Sequence, residues 1–320
     1  MFRIACTSLF AILIALPAPP ALTADVYPQK PIRLVIPFSP GGGTDLLARA
    51  VSDKLAEILG TSVIIDNRPG AGGTLGTAVV ARAAPDGYTF LFTSASYTFT
   101  PSIIKELPYD PLKDFRPITM FASLPNILVV HPSLPVKSVK DLLALARKRP
   151  GEIHFGSGGV GSNIHLTTEL FTYMAKIKLA HVPYKGAGPG QIALMSGEVQ
   201  VLMPASQSAL PFVKSGRMRA LAVSTKQRAP VLPDLPTIDE AGVPGYDKAA
   251  WFALFARAAV PDAIITRVHQ AAVKVLKNPD IVKQLAAEGA VAVGNSPAEF
   301  DAFVRSEIAE WAKLIREMKL

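Results

Sequence analysis

Three stretches of this 320-residue chain set glycines between an apolar run and a segment of helical spacing. They read PFSPGGGTD over 37–45, NRPGAGGTLG over 67–76 and GSGGVGSN over 156–163. Glycine in such a place costs backbone entropy, so something must offset it. A helix start offers unpaired N–H groups and a partial positive charge, and glycine lets an anion come close to them. The candidate contacts are Gly41, Gly42, Gly43 and Thr44 in the first loop. In the third they are Ser157, Gly158, Gly161 and Ser162. A single loop of this kind reads as a tight βα turn, and that is the reading for 67–76. Two of them, one in each half of the chain, fit a small carboxylate lying between the helix starts at Gly43–Thr44 and Gly161–Ser162. Such a site needs no Arg or Lys.

Other chemistry fits less well. No loop ends in the Gly-Lys-Ser/Thr of a phosphate-binding P-loop. GSGGVG over 156–161 matches a dinucleotide fingerprint, but the next strand, LAHVPY, ends in Pro183 and Tyr184 where an acid should hold the ribose. The histidines at 131, 154, 165, 181 and 269 have no metal-ligand spacing, and no cofactor is expected. There is no G-x-S-x-G elbow. Asp45 suits a ligand amine and suits equally the first turn of a helix. Ser162 is both a hydroxyl donor and a natural N-cap. His165 stands one turn into its helix, as fit for a structural role as for a ligand. Tyr184 ends a strand, at the cleft or packed at a turn.

These residues need elements to position them. IRLVIPF, SVIIDN and YTFLFTS read as strands, with a helix from Leu46 to Leu59 and a short one ending near Ala83. This is the βαβαβ rhythm of a parallel, doubly wound sheet. The rhythm restarts after residue 120. NILVVH, EIHFG, LAHVPY, VQVLMP and MRALAVS are strands. Ser138 caps one helix, a second runs from about Ile164 to Ala175, and a third lies near PGQIALMSG. Three helices start near Asp262, Pro279 and Pro297. Two α/β units predict two lobes with a cleft at the carboxyl ends of the strands, where the glycine loops lie.

The chain opens with Arg3, an apolar run over Leu9–Leu16 and small residues up to Ala24, the three parts of a secretory signal peptide. Cleavage is expected near Ala24, with export to the periplasm. The only cysteine, Cys6, falls inside that segment. Without Arg3 the net charge is about +7, scattered rather than massed. That distribution, with no recognised module, speaks against nucleic acid and suits a mild field that attracts small acids.

PIRLVIPFSPGGGTDLLAR, IIDNRPGAGGTLGT, PDGYTFLFTS, GSGGVGSNIHLTTELF, HVPYKGAGP, the run from Ser215 to Asp247 and WFALFA follow one another in this order. Together they resemble the substrate-binding proteins of tripartite tricarboxylate transporters, the Bug receptors, over the whole mature chain. The resemblance implies a two-lobe periplasmic binding protein, a venus-flytrap of type II-like topology with two crossing connections. Lobe 1 is then 25–123 plus 250–320, and lobe 2 is 124–249. It implies a small organic acid as ligand, no enzymatic activity, a monomer, and membrane permease subunits as partners. By motif it carries ligand contacts onto Phe38, Gly41, Gly42, Thr44, Asp45 and Ser94, and onto Ser157, Gly161, Ser162 and His165. Two places depart from the pattern. Met203, Pro204 and Ala205 stand where many relatives have FDN, so an amine-bearing ligand loses its acid. Ala253 and Arg257 replace Gly and Pro where the resemblance implies a hinge. Two other functions use the same cleft. One is a receptor read by a membrane sensor kinase. The other is an exported enzyme, for which no acid–base pair stands out.

Overall fold

The computed structural model describes residues 27–320, so the signal segment, Cys6 and the cleavage point at Ala24 lie outside the described residues. Two mixed sheets organise the chain. The first has six strands in the order β11-β4-β10-β3-β1-β2. These are β1 Ile32–Ile36, β2 Val63–Asn67, β3 Thr89–Ser94, β4 Phe115–Pro125, β10 Ala249–Arg257 and β11 Val291–Ala292. The second has five, ordered β7-β6-β8-β5-β9. They are β5 Ile127–Val130, β6 His154–Ser157, β7 Ala180–Pro183, β8 Val201–Leu202 and β9 Arg219–Val223. The chain passes between the sheets at Asn126, and again between β9 and β10.

Burial explains the strand sequences. Trp251–Ala256 of β10 is buried without a break. It lies between β3 and β4, antiparallel to both. A strand covered on both faces needs a continuous apolar run rather than an alternating one. ILVV of β5 is buried throughout for the same reason, flanked by β8 and β9. The first sheet is therefore not wholly parallel, as the βαβαβ rhythm predicts. β1, β2 and β3 are parallel, whereas β4, β10 and β11 run antiparallel to their neighbours.

Helices α1 Gly43–Leu59, α2 Thr74–Ala81, α4 Val139–Lys148, α5 Asn163–Ala175 and α6 Ala187–Ser196 fall where the periodicity places helices. Helices α8 Asp262–Leu276, α9 Pro279–Ala287 and α10 Pro297–Met318 begin at the residues expected. The last two carry proline at their starts and a side-chain cap, Asn278 and Ser296, the latter in a capping box with Glu299. α10 lays Phe300, Val304, Trp311 and Ile315 into the core, each burial contributing roughly 1.5–3 kcal/mol. Its Trp311 ring packs on Phe99 at 4.3 Å.

Besides β10 and β11, three elements have no counterpart in the sequence reading: β4, α3 Ser96–Ile103 and α7 Ser206–Lys214. Each contains a proline. Pro101 and Pro211 lie inside the helices, where proline normally breaks the ladder. Pro117 sits beside a register shift between β4 and β10, and such irregularities are where a strand tolerates it.

Candidate functional site

Five helices begin at one cleft between the sheets. Gly42, Gly43 and Thr44 bring the start of α1, and Ser94 stands just before α3. Ser162, Asn163 and Ile164 bring the start of α5. Ala187 opens α6, and Ala205 caps α7. Phe38, Gly158 and Phe252 complete the wall. First-turn amides have no partner inside their own helix, and the aligned peptide dipoles leave each start partly positive. No ionisable side chain lines the cleft among the described residues. The positive character thus comes from backbone, and the apolar share of the wall from Phe38, Ile164, Ala187, Ala205 and Phe252.

Seven expected residues meet here: Phe38, Gly42, Gly43, Thr44, Ser94, Gly158 and Ser162. The other six, Gly41, Asp45, Ser157, Gly161, His165 and Tyr184, do not line it. Asp45 is buried and accepts from the Gly41 amide at 3.0 Å, from Arg49 Nε at 3.1 Å and from Asn67 Nδ2 at 3.0 Å. Burial pushes its carboxyl up, but the hydrogen bonds from Arg49, Gly41 and Asn67 outweigh that and hold it below the usual range. Asn67 Nδ2 also donates to Phe38 O at 3.0 Å, so Asp45 and Asn67 fix the loop from Phe38 to Gly41.

The second-lobe residues form a similar support. The Gly161 amide donates to His165 Nδ1 at 3.2 Å, which leaves the proton of that neutral ring on Nε2. The ring stacks on His181 at 4.1 Å, and His181 stacks on Phe155 at 4.8 Å. Burial, with His181 nearby, lowers the His165 pKa to about 3, and burial lowers that of His181 to about 4. Ser157 Oγ lies 2.6 Å from His181 Nε2 and accepts from the Gly159 amide at 3.0 Å. Tyr184 donates to Glu198 Oε1 at 2.6 Å, and its phenol is pushed up to about 12 by burial and by that carboxylate.

Loops of the two lobes touch across the cleft. Ser39 donates its amide at 3.2 Å and its hydroxyl at 2.9 Å to Lys185 O. Gln207 Nε2 donates to Gly43 O at 3.2 Å. A Cβ on Gly188 would lie 2.6 Å from Pro40 O. One on Gly72 would run into the backbone carbonyl of Val160. The loop over 67–76 is therefore more than a turn, because its glycine lets the lobes meet.

The sequence reading passed over Asn163, Ile164, Ala187, Ala205 and Phe252. Two signals point to some of them. The K-G-A-G-P run at 185–189 repeats the glycine-then-helix design, and Asn163 directly follows the Ser162 cap.

Residues 47–320 match the model of the tripartite tricarboxylate transporter family receptor. The chain belongs to that family. It is 36% identical to Protein BugT of Bordetella pertussis over 298 residues, 92% of this chain and 91% of BugT. Among solved structures it is similar to R. palustris Rpa4515 with adipate, at 39% identity and a TM-score of 0.89, over 92% of this chain and 98% of that one. It is also similar to MatC from Rhodopseudomonas palustris with bound malate, at 30% identity and a TM-score of 0.87, over 90% and 100%. The family receptor thus has the two-lobe fold of periplasmic binding proteins.

Proposed function

We propose that this receptor closes on a small organic carboxylate in the interlobe cleft and presents the closed form to membrane permease subunits of a tripartite tricarboxylate-type transporter. The observation that carries the reading is the convergence of five helix starts on a cleft without a cationic side chain. Neutral amides suit a cargo that must be released. A buried Arg–carboxylate pair holds more tightly per contact and opens slowly. Closing the lobes excludes water and strengthens every amide contact. Rpa4515 holds adipate and MatC holds malate, which agrees with an acid ligand here.

The contacts are assigned to Phe38, Gly42, Gly43, Thr44, Ser94, Gly158 and Ser162. Asp45, His165, Ser157, Gly161, Gly41 and Tyr184 are assigned to support. Lobe 1 is taken as 25–123 plus 250–320 and lobe 2 as 124–249. Sheet membership supports that division, since strands of the first sheet lie within 32–125 and 249–292 and those of the second within 127–223. The protein is exported to the periplasm, works as a monomer and needs no cofactor. It is not an enzyme. The Ser94 hydroxyl pairs with Ser96 at 3.1 Å rather than with a base, Ser162 Oγ accepts the His165 amide at 3.3 Å, and Ser157, which does pair with His181, is fully buried and does not line the cleft.

A thermal-shift panel of adipate, malate, succinate, benzoate and glutamate tests the reading. An acid in hundredfold excess over its Kd stabilises by about 2.7 kcal/mol and raises the melting temperature. A panel in which no acid raises it overturns the reading.

A further inference from the structure

Two buried side-chain amides have no role in the account so far. Asn126 is the residue at which the chain first passes between the sheets, and it is fully buried. Asn163 is the first residue of α5 and lines the cleft. Asn163 Nδ2 donates to Asn126 Oδ1 at 2.9 Å, while Asn126 Nδ2 and Asn163 Oδ1 are buried without a partner. Turning both amides over swaps the roles and still leaves one NH₂ group and one oxygen unpaired. Buried polar atoms are rarely left so. Asn163 lines the cleft while its Oδ1 is sealed from it, so a guest completes the pair when the side chain turns toward the cleft.

The other end of the pair reaches both passages between the sheets, which form the hinge; Ala253 and Arg257 lie inside β10, away from them. The Asn126 amide donates to Ser224 Oγ at 2.8 Å, and Ser224 N donates back to Asn126 O at 2.9 Å. Ser224 Oγ donates to Lys248 O at 2.5 Å, and Lys248 N donates to Ser224 O at 2.9 Å. Ser224 and Lys248 lie on the second passage between the sheets. Asn126 also bridges to Ala205, a second residue of the cleft wall. One buried polar chain thus runs from the cleft through both passages.

We propose that Asn163 is a ligand-contact residue and that Asn126 is a positioning residue, tying Asn163 to the hinge so that a held ligand fixes the angle between the lobes. The proposal rests on the carboxylate reading. With its NH₂ inward, Asn163 donates to a carboxylate oxygen. With its oxygen inward, it accepts from a hydroxyl. Asn126 turns with it in either case.

The test is a double-mutant cycle by calorimetry, using the tightest-binding acid of the panel above. Both tryptophans of the chain, Trp251 and Trp311, lie beside Lys248 at the second passage, so their fluorescence reports the hinge. Asn163→Ala is expected to weaken binding by about five- to tenfold where its oxygen accepts from a hydroxyl, and by more than about tenfold where its NH₂ donates to a carboxylate. Asn126→Ala is expected to lose about as much although it touches no ligand, and to shrink the fluorescence change at saturation. The double variant is expected to bind within about twofold of the weaker single, because the two residues act as one unit. Losses that multiply, or an Asn126→Ala protein with parental affinity and a full fluorescence change, overturn the proposal while the carboxylate reading stands. If Asn126→Ala does not fold, Asn126→Ser takes its place under the same criteria. If the parent binds no acid of the panel, the carboxylate reading falls and this proposal with it.

Discussion

Gly188→Ala separates closure from ligand contact. Gly188 is the second residue of α6 and is not part of the cleft wall. Its backbone is not in the left-handed region, so φ alone does not bar alanine, although Pro189 follows and crowds a Cβ on a helical residue before it. In the closed form the new methyl would sit 2.6 Å from Pro40 O on the opposite lobe. The nearest obstacle is backbone, which cannot swing aside, so the lobes must part by about half an ångström or more. Overpacking of this kind costs about 1–3 kcal/mol. The cost falls on the closed form alone and lowers affinity by about 5- to 150-fold. In the unliganded protein the gain from losing a helical glycine, at most about 1 kcal/mol, is offset by the crowding of the new Cβ against Pro189. Affinity therefore falls by more than the stability of the free protein changes. Gly190→Ala, in the same helix, is the control, because its methyl would meet only Leu202, Ser157 and Tyr184 at 3.5 Å or more. Calorimetry gives the affinities, thermal melts of the free protein give stability, and small-angle scattering gives the closed dimension. A Gly188→Ala protein that binds like the parent, or a Gly190→Ala protein that loses as much, refutes the reasoning.

Two further expectations concern the supports. Asp45→Ala removes an acceptor shared by Gly41, Arg49 and Asn67, and is expected to destabilise by about 2 kcal/mol in denaturant melts. Affinity is expected to fall as well, because the Phe38–Gly41 loop loses its anchor. His165 and His181 have folded pKa values of about 3 and about 4, below the unfolded value near 6.5. The unfolded chain therefore takes up protons first, and stability, full above about pH 6.5, is lost as pH falls from there. Melting temperature is expected to drop between pH 6.5 and 5, above most carboxylate titration, and a His165→Gln, His181→Gln protein is expected to show a shallower drop.

Local rules served the fold wherever they were unopposed. Asn278, Ser296 and the prolines after them mark α9 and α10, because caps act within one turn. The rules failed where tertiary packing overrode them. Pro101, Pro117 and Pro211 argue against the elements that contain them, yet burial of their neighbours holds α3, β4 and α7 in place. The site followed the same division. Gly43, Thr44 and Ser162 were legible as helix starts. Ala205 and Phe252 were not, because a small or aromatic apolar residue looks the same in a core as in a cleft wall. Asp45 and His165 were legible as chemistry, and the structure gives both a supporting place. Their partners Asn67 and His181 lie 22 and 16 residues away, and no spacing rule joins them.

The central claim is that backbone amides at helix starts, with no titrating side chain, hold a carboxylate. Calorimetric titration of the tightest-binding acid and of its uncharged amide analogue, at pH 6, 7 and 8, tests it most directly. The account predicts an affinity for the acid that is flat across that range and at least about a hundredfold above that of the amide, the loss of two or more charge-assisted hydrogen bonds. An amide that binds as well as the acid, or an acid whose affinity changes tenfold between pH 6 and 8, contradicts it.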